Sequence, residues 1–428
     1  MTKTRASTAF LLAGLAMFAS FTSAGAAPSA YSGSVEGWNE MLDGLRDLPS
    51  MILSQLPPEQ QADPQIRQEV GRLALSAVTA ASLDALASDP EHPTAVPQIN
   101  NYLTIGQPNS DTSYRSIKVA PGGVYRMRGM RGSMGMVRIA QASPRPAPKG
   151  ATPDLGGLRT VFDLNTLSLD DQGRYDVVLS ALKPQGHAGD WWQLEPTTNM
   201  LLVRMVASDW ADERQPTISI ERLDLPVRRP RPSADKLKAQ LRAVPAMSRT
   251  IAPLLVGRVQ RLREKGIVNR LAAADFSNLG GLKQQFYYEG AYDLQADEAL
   301  IIEANLPERC GYRSLILTNE IYETTDWYNN QSSLNGAQAK ADDDGVLRIV
   351  VSEQDPGVPN WLDTSGYPRG VIQGRWTECS SHPVPKVTKV PVGEVRRMLP
   401  ESTPVISPEE RERLVRERRS AVQQRVLW

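Results

Sequence analysis

Apolar residues change their spacing several times along the chain, and each change marks a different kind of element. Val35, Trp38, Met41, Leu42 and Leu45 recur at helical intervals, and a second helical stripe runs from Ile66 to Leu86 behind Asp63-Pro64. From about Tyr102 the period shortens to two. "SYRSIKVAPGGVYRMRGMRG" reads as two half-buried strands joined at Ala120-Pro121-Gly122-Gly123, and the same character continues to Pro226. A proline-rich joint then returns the chain to helix over roughly 233–242 and 247–265, with Gly266 as C-cap. Strands resume at "QQFYYEGAYDLQADEALIIEANLP" and last to "GVIQGRWTEC". The tail "SPEERERLVRERRSAVQQRVLW" predicts a helix capped by Ser407 with Pro408 at its first position, docked through Leu414, Val415 and Val422.

Strands, a helical joint and strands again predict a mainly β (α+β) protein. The expected architecture is two tandem antiparallel jelly-roll-like β-sandwiches with N-terminal helices, a helical joint and a C-terminal helix. The expected boundaries are a signal peptide over 1–26, a helical segment over 27–95, a first sandwich over 96–226, a joint over 227–275, a second sandwich over 276–383 and a tail over 384–428. An internal match supports duplication. Aligning Asp171 with Asp343 pairs Gly173 with Gly345, Val177 with Ile349, Val178 with Val350 and Ser180 with Ser352. Tyr125 then falls on Leu300, and Trp192 meets Trp361 if the first copy carries three extra residues.

Composition narrows the setting. Lys3 and Arg5 precede an apolar run from Ala9 to Phe21 and an Ala24-Gly25-Ala26 exit, the pattern of a cleaved export signal, which predicts a periplasmic or secreted protein with no integral membrane segment once the leader is removed. Lys3 and Arg5 are the leader's charges, so the 48 basic residues fall to 46 against 48 acidic ones. That balance gives no footprint for nucleic acid. Cys310 and Cys379 are the two cysteines, and an oxidising compartment favours pairing them across the second sandwich; two buried free thiols are the alternative.

The segment "QPNSDTSYRS", with Asn109, Asp111, Thr112 and Tyr114, resembles the N-x-D-T-x-Y signature of a bacterial family known as domain of unknown function 1254. "DGVLRIVVSEQDPGVPNWLD" and the closing "GVIQGRW" resemble its usual companion, domain of unknown function 1214. The resemblance spans roughly residues 95–380. It implies a tandem jelly-roll and supplies no catalytic assignment.

Three constellations are candidates for chemistry. Asp111 and Tyr114, with Asn109 beside them, form a carboxylate, phenol and amide set suited to acid–base work or polar binding; an Asx-type turn explains the same residues. Asn360, Trp361 and Asp363 close the loop from Asp355, where an indole beside an amide and acids suits a sugar, although a Trp in both copies favours a structural plug. Asp326, Trp327 and Tyr328 sit in an amide-rich run that reads equally as pocket or exposed loop, and Arg375 offers a cation for a ligand carboxylate or a neighbouring Asp. His92, His187 and His382 are scattered without a metal-ligand spacing, and phosphate-binding and dinucleotide fingerprints are missing, so no metal and no cofactor are expected. The expectation is an exported double jelly-roll protein that binds a small polar or carbohydrate-like ligand, with carboxylate- or Tyr-based chemistry on it left open. A metal-free lyase, isomerase or hydrolase of a small organic substrate and a structural or assembly protein are the alternatives, and a homo-oligomer is compatible with all three.

Overall fold

The computed structural model describes residues 33–97, 99–143, 160–277, 281–282 and 284–426, and the expected signal peptide lies outside them. From Gly37 onward the chain forms one compact unit. The N-terminal helices are α1 (Trp38–Leu45), α2 (Leu48–Leu53), α3 (Pro58–Ala62) and α4 (Pro64–Ala87). Asp63 starts α4 by accepting the backbone N–H groups of Gln65 and Ile66. By length and composition α4 is apolar enough to cross a membrane; its apolar side packs Val70, Leu73 and Ala77 against Leu48 and Ile52.

Eight strands follow: β1 (Thr112–Lys118), β2 (Tyr125–Met130), β3 (Met136–Ala142), β4 (Val161–Asp163), β5 (Arg174–Ser180), β6 (Asp190–Gln193), β7 (Met200–Val206) and β8 (Ser219–Arg222). They make two sheets, β1-β7-β3-β4 and β6-β5-β2-β8, closed over a core that includes Ile117, Tyr125, Met127, Ile139, Val177 and Val203. The joint is α5 (Ala234–Ile251) and α6 (Arg258–Glu264). Helix α5 runs straight through Pro245, where the sequence suggested a break. Pro245 is buried against Gly44 of α1, a site so tight that a Cβ on Gly44 would lie 2.8 Å from the proline ring, and this packing retains the helix despite the lost N–H.

The second sandwich contains β9 (Ala272–Ala274), β10 (Gln285–Asp293), β11 (Glu298–Asn305), β12 (Cys310–Thr318), β13 (Ser333–Asn335), β14 (Val346–Ser352), β15 (Trp361–Asp363), β16 (Arg369–Cys379) and β17 (Lys386–Pro391). Its sheets, β13-β12-β16-β10-β9 and β15-β14-β11-β17, repeat the first pair strand for strand, with β9 added at one edge. Pairing is antiparallel except for one parallel edge in each sandwich, β5 with β6 and β14 with β15. Strand β17 pairs with β11 and therefore completes the second sandwich beyond residue 383.

Register confirms the duplication and amends one alignment. Tyr125 pairs with Leu179 as Leu300 pairs with Val351. Gly173 and Gly345 occupy the same left-handed turn position, φ 73° and 79°, each donating its N–H to the carbonyl of Asp170 or Asp342. The counterpart of Trp361 is Trp191 and not Trp192: Val178 pairs with Trp191 as Val350 pairs with Trp361. Trp192 instead points into the core and stacks on Phe162 at 4.7 Å. Cys310 and Cys379 face each other on β12 and β16 and form a disulfide, which points to an oxidising compartment.

The chain ends its described part with α7 (Val395–Met398) and α8 (Pro408–Gln423), the latter capped by Ser407 as its sequence predicts. Its docking face differs from the expected one. Leu414 and Val415 are only half-buried, whereas Arg411, Arg418 and Val422 are buried. The helix lies on loop carbonyls and indole rings, which guanidinium groups satisfy and aliphatic groups do not. Arg411 donates to Val358 O and lies over Trp361, Arg418 donates to Trp327 O and Ser333 and lies over Trp210, and Arg425 just past the helix donates to Ser110 O and lies over the same Trp210.

Candidate functional site

Residues 107–111 lead into β1 at the place where the two sandwiches meet. Asn109 forms the expected turn, its side-chain oxygen accepting the Asp111 N–H at 3.4 Å. The same side chains also reach across the joint. Asp111, 1% exposed, accepts from Tyr312 OH on β12 at 2.5 Å, from Trp210 Nε1 at 2.7 Å and from Asn335 Nδ2 at 2.9 Å, while Asn109 Nδ2 donates to Tyr312 OH at 2.7 Å. Burial and the Asp111 charge push the Tyr312 phenol well above the usual tyrosine range, so Tyr312 stays a donor. A carboxylate occupied by three donors from both sandwiches is a bolt between them.

Beside this bolt the geometry changes. Tyr114 and Arg204 are register partners on the outer face of the β1-β7-β3-β4 sheet. Across from them, β10, β12 and β16 present Tyr287, Ser314 and Arg375, with Arg375 the register partner of both others. Burial opposes the Arg375 charge, and Tyr287, Tyr312, Tyr114 and Asp111 outweigh it, which brings the sequence candidates Asp111, Tyr114 and Arg375 into one electrostatic environment. Arg375 is 4% exposed, lies 5.5 Å from the Tyr287 ring centroid and donates to Gln373 Oε1 at 2.5 Å. Its Nε and the Ser314 hydroxyl are buried without a partner. Burial raises the Tyr287 phenol above its ordinary value, and the nearby Arg375 and Arg204 charges oppose that rise.

A hydrogen-bonded chain extends from Arg375 into the joint helices. Gln373 Nε2 donates to Tyr322 OH at 2.8 Å, Tyr322 OH donates to Glu289 Oε2 at 2.9 Å, and Glu289 pairs with Arg258 of α6 at 2.6 Å. Glu289, Gln373 and Tyr322 are all nearly fully buried. Burial first, and then the Glu289 charge, hold Tyr322 well above the usual phenol range.

The remaining candidates do not converge here. Asp326 caps a turn by accepting from Asn329, Tyr328 is half-buried against the first core, and Trp327 belongs to that core although its strand neighbours are in the second sandwich. Asn360 ties the Lys340 and Arg348 carbonyls, Trp361 donates to Ser352, and Asp363 accepts the Ser365 N–H. Asp89, Glu91 and His92 offer ligand atoms within 4.8 Å of one another, but Asp89 already pairs with Arg229 and Lys236. Tyr287, Glu289, Tyr312, Tyr322 and Gln373 escaped sequence reading. Tyr287, Glu289 and Gln373 carry one signal, polar side chains at alternate positions of "FYYEG" and "IQGRW"; Tyr312 and Tyr322 carry none.

The fold and this joint define a protein built of two packed β-sandwiches. The chain is similar to an uncharacterised protein from Burkholderia cenocepacia, whose crystal structure matches at 26% identity and a TM-score of 0.74 over 83% of this chain and 97% of that one. A protein from Vibrio parahaemolyticus matches at 14% identity and a TM-score of 0.41 over 74% of this chain and 99% of that one. No family model and no curated protein matches the chain.

Proposed function

We propose that the protein binds a small polar ligand, carbohydrate-like and carrying an acidic group, between its two sandwiches. Arg375 would receive the acidic group, Ser314 would add a hydroxyl, and Tyr114 and Tyr287 would flank it. The observation that carries this reading is the buried Arg375 guanidinium with a free Nε beside a free Ser314 Oγ and with no carboxylate bonded to it among the described residues. Buried donors left without acceptors are costly, about 1–3 kcal/mol each, so a site that retains them is suited to an incoming acceptor. The Glu289–Tyr322–Gln373 chain favours a second reading, metal-free acid–base chemistry on the same ligand, as in a lyase or isomerase. The leader pattern and the disulfide support export to the periplasm. The two motifs, together with the tandem sandwiches, support membership of the domain-of-unknown-function 1254/1214 type.

A thermal-shift screen of sugar acids, aromatic acids and neutral sugars tests the binding reading. An acid present at about 100 times its Kd stabilises by about 2.7 kcal/mol and raises Tm visibly, and Arg375→Gln should abolish that rise. A panel with no responding acid, or a response unchanged in the variant, would sink the assignment.

A further inference from the structure

A cavity opens beside the joint, under the end of α8. Ser110, Tyr114, Arg115, Trp327, Val422 and Arg425 are among its walls, and its volume is about 30 Å³. That is room for one or two water-sized groups, whereas pockets for whole organic ligands run to roughly 300 Å³ or more. No acidic side chain lines it. Three of its walls are donors that the fold leaves unused: Ser110 Oγ, from a residue 1% exposed; Trp327 Nε1, from a residue 4% exposed; and Arg425 Nε and Nη2.

Arg425 is already fixed in place. Its Nη1 donates to the Ser110 carbonyl at 2.6 Å, and its plane lies over Trp210, 4.6 Å from the ring centroid. Arg115 is held by the Val426 carbonyl at 3.2 Å. The unused pair on Arg425, Nε and Nη2, is the edge of a guanidinium that grips both oxygens of a carboxylate side-on. An indole N–H and a guanidinium donate only, so a group that reaches them must accept.

We infer that this cavity is a binding site for the carboxylate group of a small organic acid, held by Arg425, Trp327 and Ser110. The volume takes a planar carboxylate and leaves the rest of the acid in the open mouth. The site uses different donors from the Arg375 proposal, and Tyr114 borders both. Because Arg425 sits just beyond α8, an occupied site also pins the end of that helix to the first sandwich.

The test uses the full protein labelled with 5-fluorotryptophan, the Trp327 resonance being identified by its loss in Trp327→Phe. Acetate should move that resonance saturably, and methyl acetate, its neutral ester, should leave it still. Arg425→Gln should weaken the acetate response by about tenfold, and Ser110→Ala by about threefold, which keeps the inference testable if the arginine variant fails to fold. Arg375→Gln should leave the titration unchanged. An absent or unsaturable acetate shift, a response that survives both Arg425→Gln and Ser110→Ala, a response lost in Arg375→Gln, or phosphate binding as tightly as acetate would each overturn it.

Discussion

The loop after β5 and the loop after β14 start alike and finish differently. Trp191 and Trp361 each donate an indole N–H to a serine hydroxyl at 3.0 Å, and those hydroxyls, on Ser180 and Ser352, each donate at 2.7 Å to a carbonyl two residues on. Past this clasp the copies part. The first loop stands open, with Leu182 82% exposed and Trp191 only half-buried. The second is pinned by α8: Arg411 pairs with Asp355 at 2.8 Å and covers Trp361, and Gln331 donates to the carbonyls of Pro359 and Trp361. What both copies share is what the sandwich needs in order to fold, and what only one has is what it needs to be covered. The indole and acids that made this loop resemble a binding site are fitted to a helix of the same chain.

The disulfide marks the largest difference between the copies. Cys310 and Cys379 lie 69 residues apart, and closing a loop of that size contributes about 4 kcal/mol in the chain-entropy model. The paired Cys310→Ser and Cys379→Ser variant should therefore lower the urea midpoint of the second sandwich while leaving the first near its original value. A uniform shift of one joint transition would show that the sandwiches unfold as a unit.

The two tryptophans give a smaller, sharper contrast. Trp361→Phe loses the bond to Ser352 and weakens the Arg411 contact, up to about 2 kcal/mol together, while Trp191→Phe loses the bond to Ser180 alone, about 1 kcal/mol. Equal losses by chemical denaturation would mean that α8 contributes nothing to the second clasp.

The smallest effect concerns Asp363, whose counterpart by register is the uncharged Gln193. Burial raises the Asp363 carboxyl above its unfolded value of 3.8, so ionising it opposes folding at neutral pH and that penalty vanishes once pH falls below 3.8. Asp363→Asn should then raise Tm by about 1–2 °C at pH 7 and by nothing below that pH. A gain that persists in acid would assign the effect to packing.

Much of the fold could be read in advance because its signals are local. Asp63 and Ser407 are helix caps in sequence and in structure, and the Asp-Gly turns at Gly173 and Gly345 announce the repeat. The Trp191 match was missed because two adjacent indoles differ only in which face of a strand they occupy, and a ladder register decides that. The joint was harder to see. Asp111 and Tyr312 are 201 residues apart, so nothing near either one reveals the other. Gln373 and Arg375 alternate with apolar residues as on the solvent side of a strand, and they are buried because the first sandwich and the joint helix α6 occupy that side. In α8 the same logic hid Arg411 and Arg418 among charges that do face water, Arg413 and Arg416.

Those arginines also impose an order in time. Arg411 grips the second sandwich, Arg418 the loop between β12 and β13, and Arg425 the entry to β1, at steps of seven residues along one face. Because α8 follows both sandwiches along the chain, neither can be fastened to the other through it until synthesis has passed Arg425. Cys310 and Cys379 both precede that residue in the chain. The cross-link can close on a sandwich that is still free to move, and the final helix then acts as the fastener that arrives after its parts are made.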